Sequence, residues 1–324
     1  MRNIKKLLFI FSIFGFYTSY GQNDSITNNK SKIVSPWTRS GNLSIGGTNF
    51  NFNGRRNDFN LNIVENIYYK IDYNKNKVKQ VHLFQQNFSL SKHGTDNYHI
   101  EIDNLLYQYR LEIDYNKNNH YGFVVNLFTH SYRGTSSGSV KDTSIISNFF
   151  SPAIITEGIT YGYNNDKGIH VTYSPLAGKH TLVSNKNVDP THWGLDKGKR
   201  ANHELGTFLT VGVENLQILK NLTLSTDVLF FSNYLKDFGN IAVTSSTKLQ
   251  VLLTKWLSID HTMILNHDKD HNVPIAEDLV ANNGATLVYT GSKWQISNLV
   301  YLSINFNFDL IKKKKQIQRG LYKI

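Results

Sequence analysis

Hydrophobic and polar residues alternate along most of the chain, most regularly over residues 293–308. The apolar side chains of this stretch, including Trp294, Leu302 and Phe306, fall on one side, and polar ones such as Ser303 fall on the other. Successive side chains of a strand point to opposite faces, so this segment has one apolar face and one polar face. The pattern is typical of a strand in a closed membrane barrel, with lipid outside and water inside.

The same period of two predicts twelve strands. They cover residues 39–52, 58–73, 78–91, 97–115, 120–132, 150–163, 168–184, 201–214, 221–232, 240–254, 257–267 and 293–308. Joins after even-numbered strands are short, as at 164–167, whereas most of the others are long, as at 133–149 and 267–292. Short turns at one end and long loops at the other are typical of outer-membrane barrels. We therefore predict an all-β fold, a twelve-stranded antiparallel transmembrane up-and-down β-barrel of the outer-membrane type.

A soluble β-sandwich or a lipocalin-like barrel is the alternative, because its strands alternate in the same way. In those folds the polar residues face outward, and alternation does not distinguish outside from inside. The spread of the pattern over all twelve strands, with Gly and Asn on the polar side, favours the membrane barrel.

The N-terminal residues predict export. Arg2, Lys5 and Lys6 precede an apolar run over residues 7–17, which is the pattern of a secretory signal peptide. The run is about half of the ~20 residues that a membrane-spanning helix needs. We predict four segments, with the outer membrane of a Gram-negative bacterium as the location. They are a signal peptide at 1–21, a periplasmic segment at 22–38, the barrel at 39–308 and a basic tail at 309–324.

Composition and charge exclude several classes of function. The chain has no cysteine, which excludes disulfides, thiolate metal sites, cysteine nucleophiles and a lipidated N-terminus. Of the formal net charge of +11, the signal segment carries +3 and the tail after Leu310 carries +6, which leaves +2 for residues 23–310. A nucleic-acid-binding protein has its basic patch on the folded domain, so we predict no nucleic-acid partner.

Four short blocks resemble a known family. They read ISNFFSPA at 146–153, YSPLAGK at 173–179, ELG at 204–206 and LFFSNY at 229–234. In this order they resemble the Bacteroidetes outer-membrane-barrel-like family called domain of unknown function 3078. The resemblance implies a barrel in a Bacteroidetes cell envelope and implies no activity. The chain departs from the family at HDKDH, residues 267–271, where members have an acidic run, and in the basic tail after Phe308.

Seven ionisable residues fall on the face that we predict to line the lumen: Lys70, Arg110, Glu112, Glu204, Asp227, Lys248 and Asp260. Asp227, Lys248 and Asp260 lie on three successive predicted strands and are expected to pair across the sheet. The set predicts either an ion-pair network that fills the lumen or a charged constriction that sorts solutes. A paired-carboxylate active site is a third interpretation.

Four ionisable residues fall instead on the apolar face: Glu65, Glu157, His203 and His261. A charge that faces lipid is costly, and least so near the membrane interfaces. These residues therefore predict positions near the rims of the barrel or a local error in strand register. Glu157 is the hardest to place, and contact with a partner, contact with the lumen and a bulge are all open.

One proline and one loop carry further expectations. Pro175 lies within a long strand and predicts a bulge. His267, Asp268, Asp270 and His271 crowd one loop, and imidazole with carboxylate suits divalent metals. Their spacing matches no defined site, so they are only weak metal candidates, and we predict no metal and no cofactor.

The sequence favours a non-enzymatic pore or passive conduit for small solutes. The alternatives are a structural or assembly subunit of an outer-membrane complex and a lipid-modifying enzyme, for which no base cluster is visible in the sequence. Expected partners are outer-membrane lipid, the assembly machinery that inserts barrels and an envelope protein.

Overall fold

The computed structural model describes residues 35–51, 60–93, 98–135, 145–236, 238–267, 273–274, 290–291 and 294–309. Within them, twelve long antiparallel strands form one closed barrel. Their bounds are β1 Trp37–Asn51, β2 Asn60–Lys75, β3 Val78–His93, β4 His99–Asp114, β5 Asn119–Thr129, β6 Ala153–Asn164, β7 Ile169–Leu182, β8 Ala201–Leu219, β9 Leu222–Asn233, β10 Ile241–Leu252, β11 Leu257–His267 and β12 Gln295–Asp309. Each strand pairs with the next in sequence, and β12 closes the ring by pairing with β1. The predicted twelve-stranded up-and-down barrel is confirmed.

The polar side of each strand faces the interior, as β12 illustrates. Leu302 and Ile304 are 46% and 44% exposed, whereas Ser303 between them is 1% exposed. On β6, Ile159 is exposed and the adjacent Thr160 is buried. Soluble folds with polar exteriors bury the opposite face, so the lipocalin-like alternative is wrong. Every strand has at least 11 residues, enough to cross a membrane when tilted.

Exposed aromatic side chains lie at both ends of the outer surface. At the short-turn rim, which carries the joins at 115–118 and 165–168, the Tyr121 ring centroid lies 5.9 Å from Tyr115 and 5.6 Å from Tyr161. The opposite end, the long-loop rim, exposes Phe149, Phe150, Tyr234 and Phe238. Aromatic belts at two levels, with an apolar wall between them, are typical of transmembrane barrels.

The structure corrects one predicted join and confirms one predicted bulge. The stretch between the predicted strands 201–214 and 221–232 was expected to be a short join, but β8 continues to Leu219 because register shifts after Val213 allow it to keep pairing with β9. The strand register jumps on both sides of β7 around Pro175, which confirms the bulge there. The Pro175 carbonyl has a hydrogen-bond partner at the bulge, since it accepts a 2.6 Å hydrogen bond from the Tyr234 hydroxyl.

The loops at the long-loop rim have structure of their own. Gly134–Thr135 pairs with Ile145–Ser147, and a 3-10 helix forms at Pro190–Trp193. The Trp193 indole donates to the Ile146 carbonyl at 2.8 Å and so joins the two loops. The part of the chain that the structure describes holds no helix long and apolar enough to span a membrane.

The side chain of Arg200 anchors the second of these loops, residues 183–200. The Arg200 guanidinium donates to the backbone carbonyls of Asn185 at 2.7 Å, Lys186 at 3.1 Å and Val188 at 3.3 Å. Beside it, the buried Val188 packs against other apolar loop residues, including Leu195. The predicted signal peptide at 1–21, residues 22–34 and the tail from 310 onward lie outside the described residues.

Candidate functional site

The seven ionisable residues predicted to line the lumen all lie on inward-facing positions of their strands. Six of them lie in the half nearer the short-turn rim, and Glu204 lies in the half nearer the long loops. Successive side chains of a strand point to opposite faces, and the sequence neighbours of these residues face outward. The lumen is therefore the candidate site.

Side chains from opposite walls meet in the short-turn half. The Tyr68 hydroxyl donates to Glu214 Oε1 at 3.2 Å, and Lys70 Nζ lies 3.7 Å from the same oxygen. Tyr68 and Lys70 are on β2 and Glu214 is on β8, six places away in either direction around a ring of twelve strands. These three residues, which we call the transluminal bridge, span the bore at this level. Lys70 also lies 3.6 Å from Asp72 on its own strand.

Further charged groups line the wall around the transluminal bridge. Arg110 Nε lies 3.7 Å from Glu112 Oε1, and His120 Nε2 lies 3.8 Å from the same carboxylate oxygen. On the facing wall, His170 Nε2 lies 2.6 Å from Asp227 Oδ1. The predicted pairing of Asp227 with Lys248 is wrong, because His170 of β7 reaches Asp227 across the intervening glycine, Gly212.

The predicted pairing of Lys248 with Asp260 is confirmed, with Nζ 3.7 Å from Oδ2. Asp260 is fully buried, and its two carboxylate oxygens also accept hydrogen bonds from Ser258 at 3.0 Å and Ser303 at 2.7 Å. Asn305 continues this network, since it donates to Ser258 at 2.7 Å. The network joins β10, β11 and β12, and Ser44 of β1 extends it across the closing seam by donating to Asn305 at 2.8 Å, so Asp260 has a structural role there.

In the long-loop half, one side of the lumen is apolar. Phe208, Phe231, Val124 and Ala177 form a buried cluster on β5 to β9. Phe208 lies against Gly158, where a β-carbon would come within 3.1 Å of the ring. Glycine in a strand often marks such a close approach, and here it gives the aromatic ring room inside the barrel.

The inner wall on the other side of the barrel is polar. The Tyr301 hydroxyl accepts a hydrogen bond from Asn66 at 2.6 Å and lies 3.3 Å from the Thr262 hydroxyl. Glu204 marks the border of the apolar cluster, with Lys179 Nζ at 3.4 Å and an amide hydrogen bond from Asn233 at 3.0 Å. The inner wall thus holds a buried apolar cluster on one side toward the long loops and is charged toward the short turns.

Several lumen residues were not predicted from sequence. Glu214 is the last residue of the predicted strand 201–214, where the join to the next strand was expected to begin, and Tyr68 is uncharged, so neither was among the candidates. His170 and Lys179 lie on β7, where the bulge at Pro175 changes which residues face inward. His170, Thr172 and Ser174 alternate with apolar residues on the first half of this strand, which is a signal for His170 but not for Lys179.

The ionisable residues in the apolar register do face outward. Glu157 pairs with Gly178 in the β6–β7 ladder, and its Oε1 lies 3.4 Å from His180 Nε2. His180 Nδ1 in turn lies 2.8 Å from His203 Nδ1. Glu65 and His261 occupy outward positions on β2 and β11. Three strands thus place an acid and two imidazoles together on the outer wall, near the long-loop rim.

Of the four weak metal candidates, His267 alone lies within the described residues. The His267 ring stacks on Trp294 with centroids 4.6 Å apart, and Asp268, Asp270 and His271 lie outside the described residues. Among the residues that are described, no group of three or more His, Cys, Asp or Glu side chains is arranged to hold a metal ion.

No protein-family model matches the sequence, and no curated protein sequence does. Among solved structures, an outer-membrane channel from Pseudomonas putida F1 is 12% identical, with a TM-score of 0.39 over 88% of this chain and 100% of that chain. The β-domain of the Bordetella autotransporter BrkA is 7% identical, with a TM-score of 0.28 over 84% and 98%. The ΔS2 mutant of the TodX monoaromatic hydrocarbon channel is 9% identical, with a TM-score of 0.24 over 83% and 88%. Similarities this low carry no functional argument, and the barrel is established by the strand pairing of the chain itself.

Proposed function

We propose that this protein is a channel for small solutes in the outer membrane of a Gram-negative bacterium, and that the transluminal bridge holds it closed. An apolar outer wall between two aromatic belts suits a membrane, and an inner wall of ionisable and amide groups suits water and polar solutes. Such a barrel needs the surrounding lipid and the cellular machinery that inserts barrels.

The observation that carries this proposal is the contact of Glu214 with Tyr68 and Lys70 across the bore. Groups of opposite charge that meet across a pore act on the solutes that pass, by size and by charge. The same contact also divides the bore, so passage requires that Glu214 separates from β2.

The bridge is weak enough to open. The side chain of Glu214 is 44% exposed and that of Lys70 is 20% exposed, so solvent screens their attraction. An ion pair in such surroundings contributes roughly 0–1 kcal/mol. Thermal motion therefore opens the bridge often, and a gate of this kind has a measurable open population.

Planar-bilayer recording tests the channel. We expect brief openings from the wild-type protein and a several-fold higher open probability from Glu214→Gln, because the amide keeps the size of the side chain and removes the charge. Asp227→Asn is the matched control, since Asp227 is also an inner-wall carboxylate near the short turns but bonds to His170 along the wall. Folded wild-type and Glu214→Gln proteins that both fail to conduct would exclude the channel. An equal response of the two variants would exclude the bridge as its gate.

A further inference from the structure

The cluster of Glu157, His180 and His203 on the outer wall has no role in a channel. Its three residues come from β6, β7 and β8, and adjacent strand positions bring them together, with His180 paired to His203 and Glu157 paired to Gly178. A side chain at Gly178 would crowd the cluster, since a β-carbon there would lie 3.0 Å from His180 Nε2. The glycine keeps the space between acid and imidazole free.

The contacts of this cluster indicate one arrangement of its protons, because an ionised carboxylate can only accept. His180 Nε2 donates to Glu157 when it carries a hydrogen, which leaves Nδ1 of a neutral His180 as an acceptor. His203 Nδ1, 2.8 Å away, then donates to it, which leaves Nε2 of a neutral His203 as an acceptor too. With both imidazoles neutral, the cluster offers outward-facing acceptors at His203 Nε2 and at the second oxygen of Glu157.

An apolar groove adjoins these acceptors. It has a volume of about 420 Å³ and is lined by Glu157, His180 and His203 together with outward-facing apolar residues. Ile159, Leu176 and Leu205 are among them, and all three are exposed. A site with acceptors at one end and exposed aliphatic side chains along the rest is complementary to a molecule with a donor head and a hydrocarbon chain.

The site also lies at the depth where such a head would be. Glu157 is four residues from the start of β6, and His180 and His203 are each two residues from the long-loop end of their strands. Charged groups are tolerated on the outer wall near a membrane interface, where lipid headgroups lie. A carboxylate there is stabilised further when a cationic partner covers it.

We propose that this cluster binds the primary ammonium headgroup of an aminophospholipid of the phosphatidylethanolamine type, with an acyl chain in the adjoining groove. The ammonium donates hydrogen bonds to Glu157 and to His203 Nε2, and its charge complements the carboxylate. A quaternary ammonium lacks these donors, and an anionic headgroup is repelled by Glu157. The proposal rests on the outer wall facing lipid, as in the proposed function, but it is independent of whether the lumen conducts.

Lipid retention tests the site. The full-length protein in mild detergent is incubated with an equimolar mixture of phosphatidylethanolamine, phosphatidylcholine and phosphatidylglycerol that carry identical acyl chains, and native mass spectrometry identifies the lipids that stay bound. For the wild type we expect phosphatidylethanolamine to exceed phosphatidylcholine by about tenfold, the range of one charge-assisted hydrogen bond. Glu157→Gln should bring the ratio close to one.

Glu65→Gln is the matched control, because Glu65 also faces outward but belongs to β2, away from the groove. It should retain the wild-type ratio. His203→Phe provides a second variant, since it removes an acceptor and keeps the ring, and it should reduce the ratio as well. Heat-modifiable gel mobility confirms that each variant is folded. An unchanged ratio in folded Glu157→Gln, an equal loss in Glu65→Gln, or a wild-type preference for phosphatidylglycerol would overturn the proposal. Conductance is measured separately, so failure of this site leaves the channel proposal standing.

Discussion

Tyr68 and Glu214 are 146 positions apart in sequence and on opposite walls of the barrel, yet the Tyr68 hydroxyl donates a 3.2 Å hydrogen bond to the Glu214 carboxylate. Two side chains bridge the whole bore, so the lumen is narrow at this level. The bond is also sensitive to barrel shape, because any widening between β2 and β8 breaks it before the sheet itself is disturbed.

A double-mutant cycle between Tyr68→Phe and Glu214→Ala should measure this bond, because glutamine at 214 would keep an acceptor oxygen. We expect a coupling of about 0.5–1.5 kcal/mol in the free energy of unfolding, the usual net value of a hydrogen bond. Denaturant unfolding of the folded barrel in detergent supplies the four values. A cycle between Tyr68→Phe and Asp227→Asn should give no coupling, since Asp227 bonds to His170. Coupling of the first pair that is no larger than that of the second would show that the bridge does not persist in solution.

The strands could be predicted from the sequence because each has one face toward a single environment. On β12, Leu302 and Ile304 face outward and Ser303 faces inward, so local alternation is enough. The pairing of Lys248 with Asp260 was predictable for the same reason, as the two residues lie on neighbouring strands. The contact of Tyr68 with Glu214 was not, because it depends on the curvature and closure of the whole ring.

The cluster of Glu157, His180 and His203 on the outer wall shows a second limit of prediction from sequence alternation. Glu157 and His203 were recognised as outward-facing, but His180 has the parity of an inward residue when it is counted from the start of β7. The extra residue at the bulge near Pro175 reverses that parity, so that Lys179 faces the lumen and His180 faces outward. A bulge adds one residue to one strand only, and alternation along that strand does not reveal where the added residue lies.

Removal of Asp260 should destabilise the closing seam. In Asp260→Ala, Ser258 and Ser303 lose their acceptor, and Lys248 loses the carboxylate 3.7 Å away. Loss of one partner of a buried charged network typically costs several kcal/mol, and we expect about 3 kcal/mol here. Unfolding in urea, followed by gel mobility, measures the change. Asp166→Ala is the control, because Asp166 pairs with Lys117 in full exposure and should have no measurable effect. Equal stability of Asp260→Ala and the wild type would mean that the seam does not depend on this carboxylate.

The loops at the long-loop rim should loosen in mild acid because of His130. Burial lowers the pKa of His130 below its usual value near 6.5. Its Nδ1 donates to the Asp103 carbonyl at 2.6 Å, and its ring lies 5.5 Å from Trp193. A histidine with a lowered folded-state pKa favours folding while it is neutral, so this contribution is complete above pH 6.5 and is lost as the pH falls toward the folded-state pKa.

Hydrogen exchange of residues 145–152 and 183–200, corrected for the intrinsic rate at each pH, measures this loosening. Protection should decrease between pH 7 and 5 in the wild type. His130→Gln keeps a side-chain donor and does not titrate, so its protection should vary much less with pH. The same decrease in both proteins would assign the effect to another group.

The outward apolar wall should be in contact with hydrocarbon, and the absence of cysteine makes this directly measurable. Single cysteines at Ile159, Leu302 and Ile304, each exposed on the outer wall, can carry a nitroxide label without background reaction. In lipid vesicles, we expect these labels to be far more accessible to oxygen than to a water-soluble nickel chelate, because oxygen partitions into hydrocarbon. A label at Tyr115, in the short-turn belt, should show the opposite preference. Equal access of the chelate to all four labels would mean that water surrounds the wall, and a barrel with this many exposed isoleucines and leucines would then need another protein, not lipid, to cover it.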